Sequence, residues 1–455
     1  MDRQIRSWAC LAAAIMTLVG QPAQGQCLFG WHSDSGMGGG FPLVEALGVY
    51  NDKLIAGGGF TSAGGVNANA IAQWDGAVWS PLGDGLTGAL PTTSALAVYN
   101  GKLIAGGSFT TAGDSPASFI AEWDGAAWSP LGSGVNASVA ALTVYNGQLI
   151  AGGYFSMAGG SGANGIARWD GSNWTPLGNG VSGGSFPYVF SLTVYNGRLI
   201  AGGQFTMAGD VPANAIAQWD GTTWSALGNG MDNTPYNADV EALTVYSNKL
   251  IAGGAFITAG TASATYVAQW DGNAWSALGA GLGPIPSGVS ALTVYRGRLV
   301  AGGNFLTAGG AGANRIAQWD GVAWSPLGTG TDNQVWALTE YDGRLVAGGI
   351  FSNAGSVPAP YWAWWAPVGP FAEADFDHDC DVDADDQAIF EACFSGPGVA
   401  YDPAHLPAGC VLAPDANNHI DADFNADGAV DQSDFAAFQR CYGGPDRPVP
   451  PGCGT

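Results

Sequence analysis

The chain has 455 residues and a formal net charge of −24, with 13 Lys and Arg against 37 Asp and Glu. Because nucleic-acid binding needs a basic surface against the phosphates, this balance excludes a nucleic-acid partner. The 73 glycines and 25 prolines disfavour helices, and 47% apolar residues are too many for a disordered chain, so the composition predicts short strands joined by tight turns.

The N-terminal segment has the layout of a secretory signal peptide. Arg3 and Arg6 precede an apolar run over 8–19, and Ala23 and Gly25 are small residues that suit a cleavage site. We therefore expect residues 1–25 to be removed and the protein to be secreted, either extracellular or at the cell surface. A retained anchor is the alternative, but the run is short for a bilayer and no later apolar segment approaches the length of a membrane span, so we predict that the chain does not span a membrane.

A phrase such as "ALTVYNGQLIAGG" recurs seven times along the chain. Its Leu recurs at intervals of 46 to 51 residues, at Leu54, Leu103, Leu149, Leu199, Leu250, Leu299 and Leu345. A period near 50 with paired glycines is typical of a β-propeller built from kelch-like repeats.

Each repeat is predicted to form four strands. Pairs such as Asn100-Gly101 favour a type I′ hairpin between the first and second strands. Asp75-Gly76 and its copies predict another two-residue hairpin between the third and fourth, with Trp74 opposite Ala77. Both tryptophans of a repeat then share one face of the sheet, and we expect them in the core rather than in a sugar-binding stripe.

The seventh repeat lacks its fourth strand. In every copy a Trp follows the repeat Leu by 20 residues, but after Trp365 the chain reads Ala366-Pro367 instead of Asp-Gly. The segment around Trp31 aligns with the missing strand. We therefore predict an all-β seven-bladed β-propeller over 26–370, closed by an N-terminal strand that removes an exposed sheet edge.

Repeats such as "LIAGGSFTTAGDSPASFIAEWDG" resemble kelch-type repeats, and they are similar to the ectodomains of fungal cortical polarity markers. The resemblance spans all seven copies. It implies a fold rather than a function.

The loops that join one repeat to the next vary in length, and we expect them to share a face with the constant loops between second and third strands. That face is the predicted ligand surface, with a glycan as one possible ligand and solvated loops as the alternative. Its candidate residues are Phe186, Tyr188, Asp232, Asn233, Tyr236, Asn237, Asp239, Asp332, Asn333 and Trp336.

The last 85 residues form a different, acidic domain over 371–455, with 17 Asp and Glu against two Arg. Two loops there have the oxygen-rich spacing that Ca²⁺ requires, and we expect two bound calcium ions. Cys380 replaces the usual Gly in the first loop, so we expect the second to bind more strongly. The predicted ligands are Asp375, Asp377, Asp379, Asp381 by its carbonyl, Asp383 and Asp386, and then Asp423, Asn425, Asp427, Ala429 by its carbonyl, Asp431 and Asp434.

A duplicated calcium loop followed by a helix, with Asp at position 12, resembles the dockerin domain of type I, a small helical EF-hand-like module. The resemblance implies docking onto a cohesin-like or other cell-surface protein. It also implies that the partner contacts positions 10 and 11 of each loop, which are Ala384-Asp385 and Gln432-Ser433 here.

Cys10 leaves with the signal peptide, and the six remaining cysteines of an exported chain suggest disulfides, for which fifteen pairings exist. Because Cys393 and Cys441 hold equivalent places after the two loops, we pair Cys393 with Cys410 and Cys441 with Cys453. Cys27 with Cys380 would then be the third bond, joining the closing strand to the tail.

No catalytic signature stands out, and near-identical repeats argue against an active site, so we lean against an enzyme. The first function hypothesis is a secreted binding or display protein with a docking tail. The alternatives are a polysaccharide lyase or hydrolase tethered by its dockerin, and a structural component of the cell surface.

Overall fold

The computed structural model of the protein describes residues 28–184, 186–234, 236–283, 288–368, 374–376, 382–403, 405–414 and 419–443. The chain divides into two compact units, Phe29–Ala366 and a second unit made of Met1–Leu28 with Pro367–Thr455. The predicted signal peptide and Cys27 lie outside the described residues. Among the residues that are described, no helix has the length and apolar character needed to cross a membrane.

The larger unit is all-β. Its described residues form seven four-stranded antiparallel sheets, numbered here 1 to 7 along the chain, in which first, second, third and fourth strands lie side by side. The strands are, in sheet 1, Val44–Tyr50, Lys53–Gly58, Ile71–Trp74 and Trp79–Pro81; in sheet 2, Thr93–Tyr99, Lys102–Gly107, Ile120–Trp123 and Trp128–Pro130; in sheet 3, Val139–Tyr145, Gln148–Gly153, Ile166–Trp169 and Trp174–Pro176; in sheet 4, Tyr188–Tyr195, Arg198–Gln204, Ile216–Trp219 and Trp224–Ala226; in sheet 5, Ala242–Tyr246, Lys249–Gly253, Val267–Trp270 and Trp275–Ala277; in sheet 6, Val289–Tyr295, Arg298–Gly303, Ile316–Trp319 and Trp324–Pro326; in sheet 7, Val335–Tyr341, Arg344–Gly349, Trp362–Val368 and Leu28–His32.

The pairing register explains the constant spacing between the repeat Leu and Trp. Leu54 is directly opposite Trp74 on the neighbouring strand, and Leu345 is opposite Trp365. The predicted type I′ turns are confirmed, because Asn100 and Gly101 have φ angles of 50° and 76° between the paired residues of the first hairpin.

The predicted register of the second hairpin is wrong. Trp74 lies opposite Trp79, not Ala77, because the turn contains four residues rather than two. The Asp75 carboxylate accepts hydrogen bonds from the backbone N–H groups of Ala77 and Val78, and this closes the longer loop. The two tryptophans still share a face, and both are buried, as expected for core residues.

The N-terminal strand completes sheet 7, as the truncated seventh repeat predicted. Leu28–His32 lies beside Trp362–Val368, with the rings of Trp31 and Trp365 in edge contact at 5.3 Å. Ser33 Oγ donates a hydrogen bond to the Trp362 carbonyl at 3.1 Å. The last sheet is therefore assembled from both ends of the unit.

The hydrophobic core lies between consecutive sheets. One cluster joins Ile55 of sheet 1 to Phe109 of sheet 2, the same arrangement recurs along the chain, and another cluster joins Val346 of sheet 7 to Leu54 of sheet 1. Because the seventh sheet packs on the first, the sheets form a closed ring. This is an all-β, propeller-like architecture.

The first glycine of each pair sets the approach of neighbouring sheets. A Cβ on Gly302 would lie 2.6 Å from a methyl group of Val335, the first residue of the next sheet. The same glycine in sheet 7, Gly348, faces Val44 of sheet 1 in the same way. A side chain at this position would therefore hold the sheets apart.

The two junctions that sheet 7 makes, with sheet 6 and with sheet 1, differ from the others. Elsewhere the indole N–H of the fourth-strand Trp donates to a Leu carbonyl of the preceding sheet, as Trp128 does to Leu82 at 2.8 Å. Trp31 and Trp79 have no such partner among the described residues. Trp362 stands where the other third strands begin with Ile or Val, and its ring packs edge-on against Trp79 at 4.8 Å.

The connecting loops carry short strands of two residues. The loop before sheet 1 pairs with the loop between its second and third strands, through Met37–Gly38 and Ser62–Ala63. Both loop types therefore lie together, as predicted. The short strands are Met37–Gly38, Ser62–Ala63, Val66–Asn67, Leu86–Thr87, Thr111–Ala112, Ser115–Pro116, Met157–Ala158, Ser161–Gly162, Val181–Ser182, Met207–Ala208, Val211–Pro212, Met231–Asp232, Thr258–Ala259, Ala262–Ser263, Leu282–Gly283, Thr307–Ala308, Ala311–Gly312, Asn353–Ala354 and Val357–Pro358.

The second unit contains two helices in its described part, Ala384–Cys393 and Gln432–Cys441. Each begins with a capping box, formed by Asp383 and Asp386 in one helix and by Asp431 and Asp434 in the other. Phe390 and Phe438 pack against each other at 5.5 Å in one shared core.

The predicted disulfide between Cys393 and Cys410 is confirmed. Cys441 is also disulfide-bonded. Cys453 and Cys380 lie outside the described residues, so the other two proposed pairings stay predictions.

Candidate functional site

The first strands of the seven sheets converge on a cavity of about 290 Å³. In sheet 1 the register shifts between Val44 and Ala46, so Glu45 is an extra residue in the strand, a β-bulge. The residues on either side of this position are nearly the same in every repeat, whereas the bulge residue differs from sheet to sheet. In six sheets the residue at this position lines the cavity, as Glu45, Ser94, Ala140, Glu241, Ser290 and Trp336. In sheet 5 the position directly precedes the strand Ala242–Tyr246.

Two of these positions form matched pairs with the following sheet. Ser94 Oγ donates a short hydrogen bond to Glu45 Oε2. Ser290 Oγ donates to Glu241 Oε2 at 2.8 Å, and Gln334 Nε2 of the next sheet donates to Ser290 Oγ at 3.0 Å. The same carboxylate–hydroxyl pair therefore occurs twice around one cavity.

Burial perturbs both glutamates. It raises the pKa of Glu45 above its usual range, against the hydrogen bond from Ser94. Burial and the nearby Asp239 raise the pKa of Glu241 to about 7, although the Ser290 hydrogen bond opposes this. None of the described residues that line the cavity is a Lys or Arg. The carboxylates therefore face the cavity without a cationic partner from its walls, which disfavours their charged form.

Four aromatic side chains from sheets 3 and 4 form a cluster outside the cavity lining, in which Phe190 holds the position in sheet 4 that the glutamates hold in sheets 1 and 5. The Tyr154 ring is 4.4 Å from that of Tyr188 and 5.7 Å from that of Phe190, the bulge residue of sheet 4. Phe186, 58% exposed, stacks on Tyr188 at 5.9 Å. Burial and then the charges of Glu45 and Glu241 raise the pKa of Tyr154, so this one residue of the cluster lies within electrostatic range of both glutamates.

Asp239 adds a third carboxyl group two residues before Glu241. It accepts a hydrogen bond from the Ala255 backbone N–H at 2.7 Å. Burial raises its pKa despite this hydrogen bond. The acidic side of the site is therefore contributed mainly by sheet 5.

The predicted loop residues divide into three groups. Tyr188, Phe186, Asp239 and Trp336 belong to the cavity or to the residues around it. Asp232 accepts from Thr234, and Asp332 accepts from the backbone of Ser352 and Asn353, so these side chains hold their own loops together. Asn333 accepts from the Gln334 backbone, Asn233 pairs with Tyr236, and Tyr236 and Asn237 are exposed.

Glu45, Glu241, Ser94, Ser290 and Tyr154 were not among the residues expected from the sequence. A position-by-position comparison of the seven copies contains the signal for the first four. The residue after the first-strand Val varies strongly between copies, although its neighbours hardly change. Tyr154 follows the paired glycines of sheet 3, where the other copies carry smaller or unrelated side chains.

The six aspartates of the WDG turns have a structural role. Asp75, for example, accepts from two backbone N–H groups, and these bonds lower its pKa. All six are exposed and separated by whole sheets, so they form no carboxylate ring. They are Asp75, Asp124, Asp170, Asp220, Asp271 and Asp320.

In the second unit, the Asp423 loop is folded around its own carboxylates. Asp423 accepts from the backbone N–H of Asp427 and of Gly428, whose φ of 87° produces the sharp turn at position 6. Asp434 at position 12 accepts from Asn425 and Asp431. Burial, and then the charges of Asp423 and Asp427, raise the pKa of Asp434. The negative charges of this loop therefore disfavour one another.

The first loop is described in part. Asp375 and Asp386 are buried, and Asp386 accepts from the backbone of Phe376 and Asp383. Asp377, Asp379 and Asp381 lie outside the described residues. Within the described ranges, no group of three or more His, Cys, Asp or Glu side chains is arranged so that it could hold a metal ion.

A short segment of the chain matches a known family. Residues 146–170, in sheet 3, match the family model described as a domain of unknown function (DUF5122) beta-propeller. No curated protein matches the chain. Together with the closed ring of four-stranded sheets, the family match supports a β-propeller fold.

Similar solved structures share little sequence with the chain. The extracellular domain of a B. thetaiotaomicron protein described as a hybrid two-component system is 10% identical, with a TM-score of 0.47 over 74% of this chain and 39% of that one. The match thus spans well under half of that domain. The computationally designed Ika8 protein is 16% identical, with a TM-score of 0.40 over 72% and 98% of the two chains. The WD40 beta propeller domain of Doa1 is 12% identical, with a TM-score of 0.45 over 74% and 96%.

Proposed function

We propose that the protein is a secreted, non-enzymatic binding protein. Its seven sheets act as the blades of a kelch-like seven-bladed propeller, and the ligand enters the central cavity from the loop face. The observation that carries this proposal is the variation at the bulge position. The seven sheets are nearly identical in sequence, but they differ at the position whose side chain meets the cavity. Variation at this position is not needed to form the sheets, so we attribute it to contacts with a ligand.

The test is a binding screen of the full-length mature protein against immobilised glycans and small polar molecules. Trp336→Ala should abolish or strongly weaken any binding in the cavity. The control is Val322→Ala, which shortens an exposed side chain in a WDG turn outside the cavity lining. Binding that Trp336→Ala leaves unchanged would place the ligand elsewhere and contradict the proposal.

A carbohydrate-active enzyme is the second candidate, and the raised pKa of Glu241 supports it. A carboxyl group with a pKa of about 7 is suited to act as a general acid, and Glu45 supplies a second carboxyl in the same cavity. Incubation with polysaccharides and measurement of new reducing ends or unsaturated products distinguishes the two functions. Product formation that Glu241→Gln abolishes would favour the enzyme.

We further propose that residues 371–455 are a dockerin-like, calcium-ordered docking domain. Asp423, Asn425, Asp427, Asp431 and Asp434, with the Ala429 carbonyl, would hold one ion, and the loop from Asp375 to Asp386 would hold a second, weaker one. Bound calcium would neutralise the crowded carboxylates and fix the start of each helix. An apolar groove of about 330 Å³ between the helices, lined by Phe390, Glu391, Phe394, Gln432 and Phe435, is a suitable surface for a cohesin-like partner.

Calorimetric titration of the chelator-treated full-length protein tests the calcium proposal. We expect two binding events, and Asp423→Asn together with Asp427→Asn should remove the tighter one. Asp402→Asn, an exposed aspartate outside both loops, is the control. No heat of binding in the unmodified protein would contradict the calcium proposal.

A further inference from the structure

We propose that the central cavity recognises an organic cation, specifically an alkylammonium group. This inference rests on the proposed binding function and deepens it by naming the ligand chemistry. It is carried by the juxtaposition of two opposed glutamates, an aromatic cluster and a cavity of limited size.

The first argument is the charge of the cavity walls. Glu45 on sheet 1 and Glu241 on sheet 5 receive hydrogen bonds only from neutral hydroxyl groups in the contacts described above, and the lining contains no basic side chain. A partly buried carboxylate is stabilised by a compensating charge, so a cationic ligand supplies the positive charge that the walls lack. An anionic ligand would meet two like charges here.

The second argument is the aromatic cluster. Tyr154, Tyr188, Phe186 and Phe190 form a continuous group in which neighbouring rings are 4.4 to 6.2 Å apart. The faces of aromatic rings carry negative electrostatic potential and attract ammonium groups. Because Phe190 holds the same position in sheet 4 as Glu241 does in the neighbouring sheet 5, a cation bound there meets both a carboxylate and an aromatic ring, whereas a neutral apolar ligand would use only the rings.

The third argument is size. About 290 Å³ is at the lower end of the volumes of small-molecule sites, and it suits an ammonium group on a short alkyl chain. The formal charge of the whole chain, −24, further attracts cations to the protein.

Calorimetry of the full-length, calcium-saturated protein tests the proposal with two probes of equal shape, n-butylammonium and n-butanol. We expect butylammonium to bind and butanol to bind at least tenfold more weakly. Glu241→Gln should weaken butylammonium binding at least tenfold. Glu340→Gln, an exposed residue on a first strand away from the cavity lining, should leave it within twofold. Thermal unfolding of each variant confirms that it is folded.

The outcomes separate this inference from the proposed function. Equal binding of both probes, or butylammonium binding that Glu241→Gln does not change, overturns the cation inference. If butylammonium fails to bind while a neutral glycan binds in a manner sensitive to Trp336→Ala, the cation inference is wrong and the binding function stands. If nothing in the screen or the probe pair binds, both are overturned.

Discussion

The paired glycines are the residues on which sheet packing depends most directly. The second of each pair is as constrained as the first: a Cβ on Gly303 would lie 2.1 Å from the carbonyl oxygen of Gly288. That carbonyl precedes the bulge in the adjacent strand. The paired glycines therefore set the distance between sheets and also leave room for the bulge that turns one side chain toward the cavity.

Gly302→Ala should destabilise the protein by about 1 to 3 kcal/mol, because its methyl group would overlap a methyl group of Val335. Gly312→Ala is the control, since no atom lies within 4 Å of its added Cβ. Chemical denaturation monitored by tryptophan fluorescence compares the two. Equal stability of both variants would mean that the sheets can separate at no cost.

At the scale of elements, sheet 7 depends on a strand that is distant in sequence. Trp31 is buried there between Trp365 and the core that joins sheets 6 and 7. Its indole N–H and that of Trp79 lack the Leu carbonyl partner found at the other junctions. The junctions on either side of the closing strand thus rely on aromatic packing in place of two hydrogen bonds.

Trp31→Ala should lower the free energy of unfolding by about 3 to 5 kcal/mol, the range for loss of a large buried aromatic side chain. Deletion of residues 28–32 should destabilise the protein at least as much, because it leaves the edge of Trp362–Val368 unpaired. Phe41→Ala removes a side chain that is 77% exposed and should have little effect. An unchanged thermal transition in the deletion variant would contradict the closing role of this strand.

The sequence alone predicted those strands and turns whose geometry recurs in every repeat. The spacing of 20 residues from Leu to Trp reflects direct cross-strand pairing, and it located the end of the third strand at Trp365 without further information. The register of the Asp75 turn was missed because an aspartate side chain competed with the two-residue hairpin. The cavity was missed because a bulge requires contacts between two strands, which a strand pattern read alone does not contain.

At the scale of the whole molecule, Glu241 in the cavity lowers the free energy of unfolding as pH rises. The pKa of Glu241 is higher in the folded state than its ordinary value, so the folded state holds this proton more tightly than the unfolded chain. Asp239 and Tyr154 carry the titratable groups near it, and the Ser290 hydroxyl donates a hydrogen bond to it. The stability that Glu241 contributes is therefore lost as pH rises from the ordinary pKa of a Glu to the higher pKa of Glu241 in the folded state.

Glu241→Gln should therefore become more stable than the unmodified protein as pH rises from about 4.5 to about 7, and the difference should remain constant above that interval. We expect a plateau of about 1 to 3 kcal/mol. Glu340→Gln, at an exposed position outside the cavity lining, is the control. Denaturant unfolding at a series of pH values measures the difference, and a pH-independent difference for Glu241→Gln would show that this carboxyl titrates normally.

Because the strand that closes sheet 7 comes from the N-terminal end of the larger unit, the way the ring closes does not depend on the number of repeats. Each internal repeat unit, from one fourth strand to the next third strand, can be gained or lost in the gene without touching either end of the larger unit. A recombination between two near-identical copies would leave every remaining sheet with four strands, and the same terminal strand would still pair with the same final repeat. The size of the ring and the width of its cavity are thus open to change by a single genetic event, whereas its mode of closure is not.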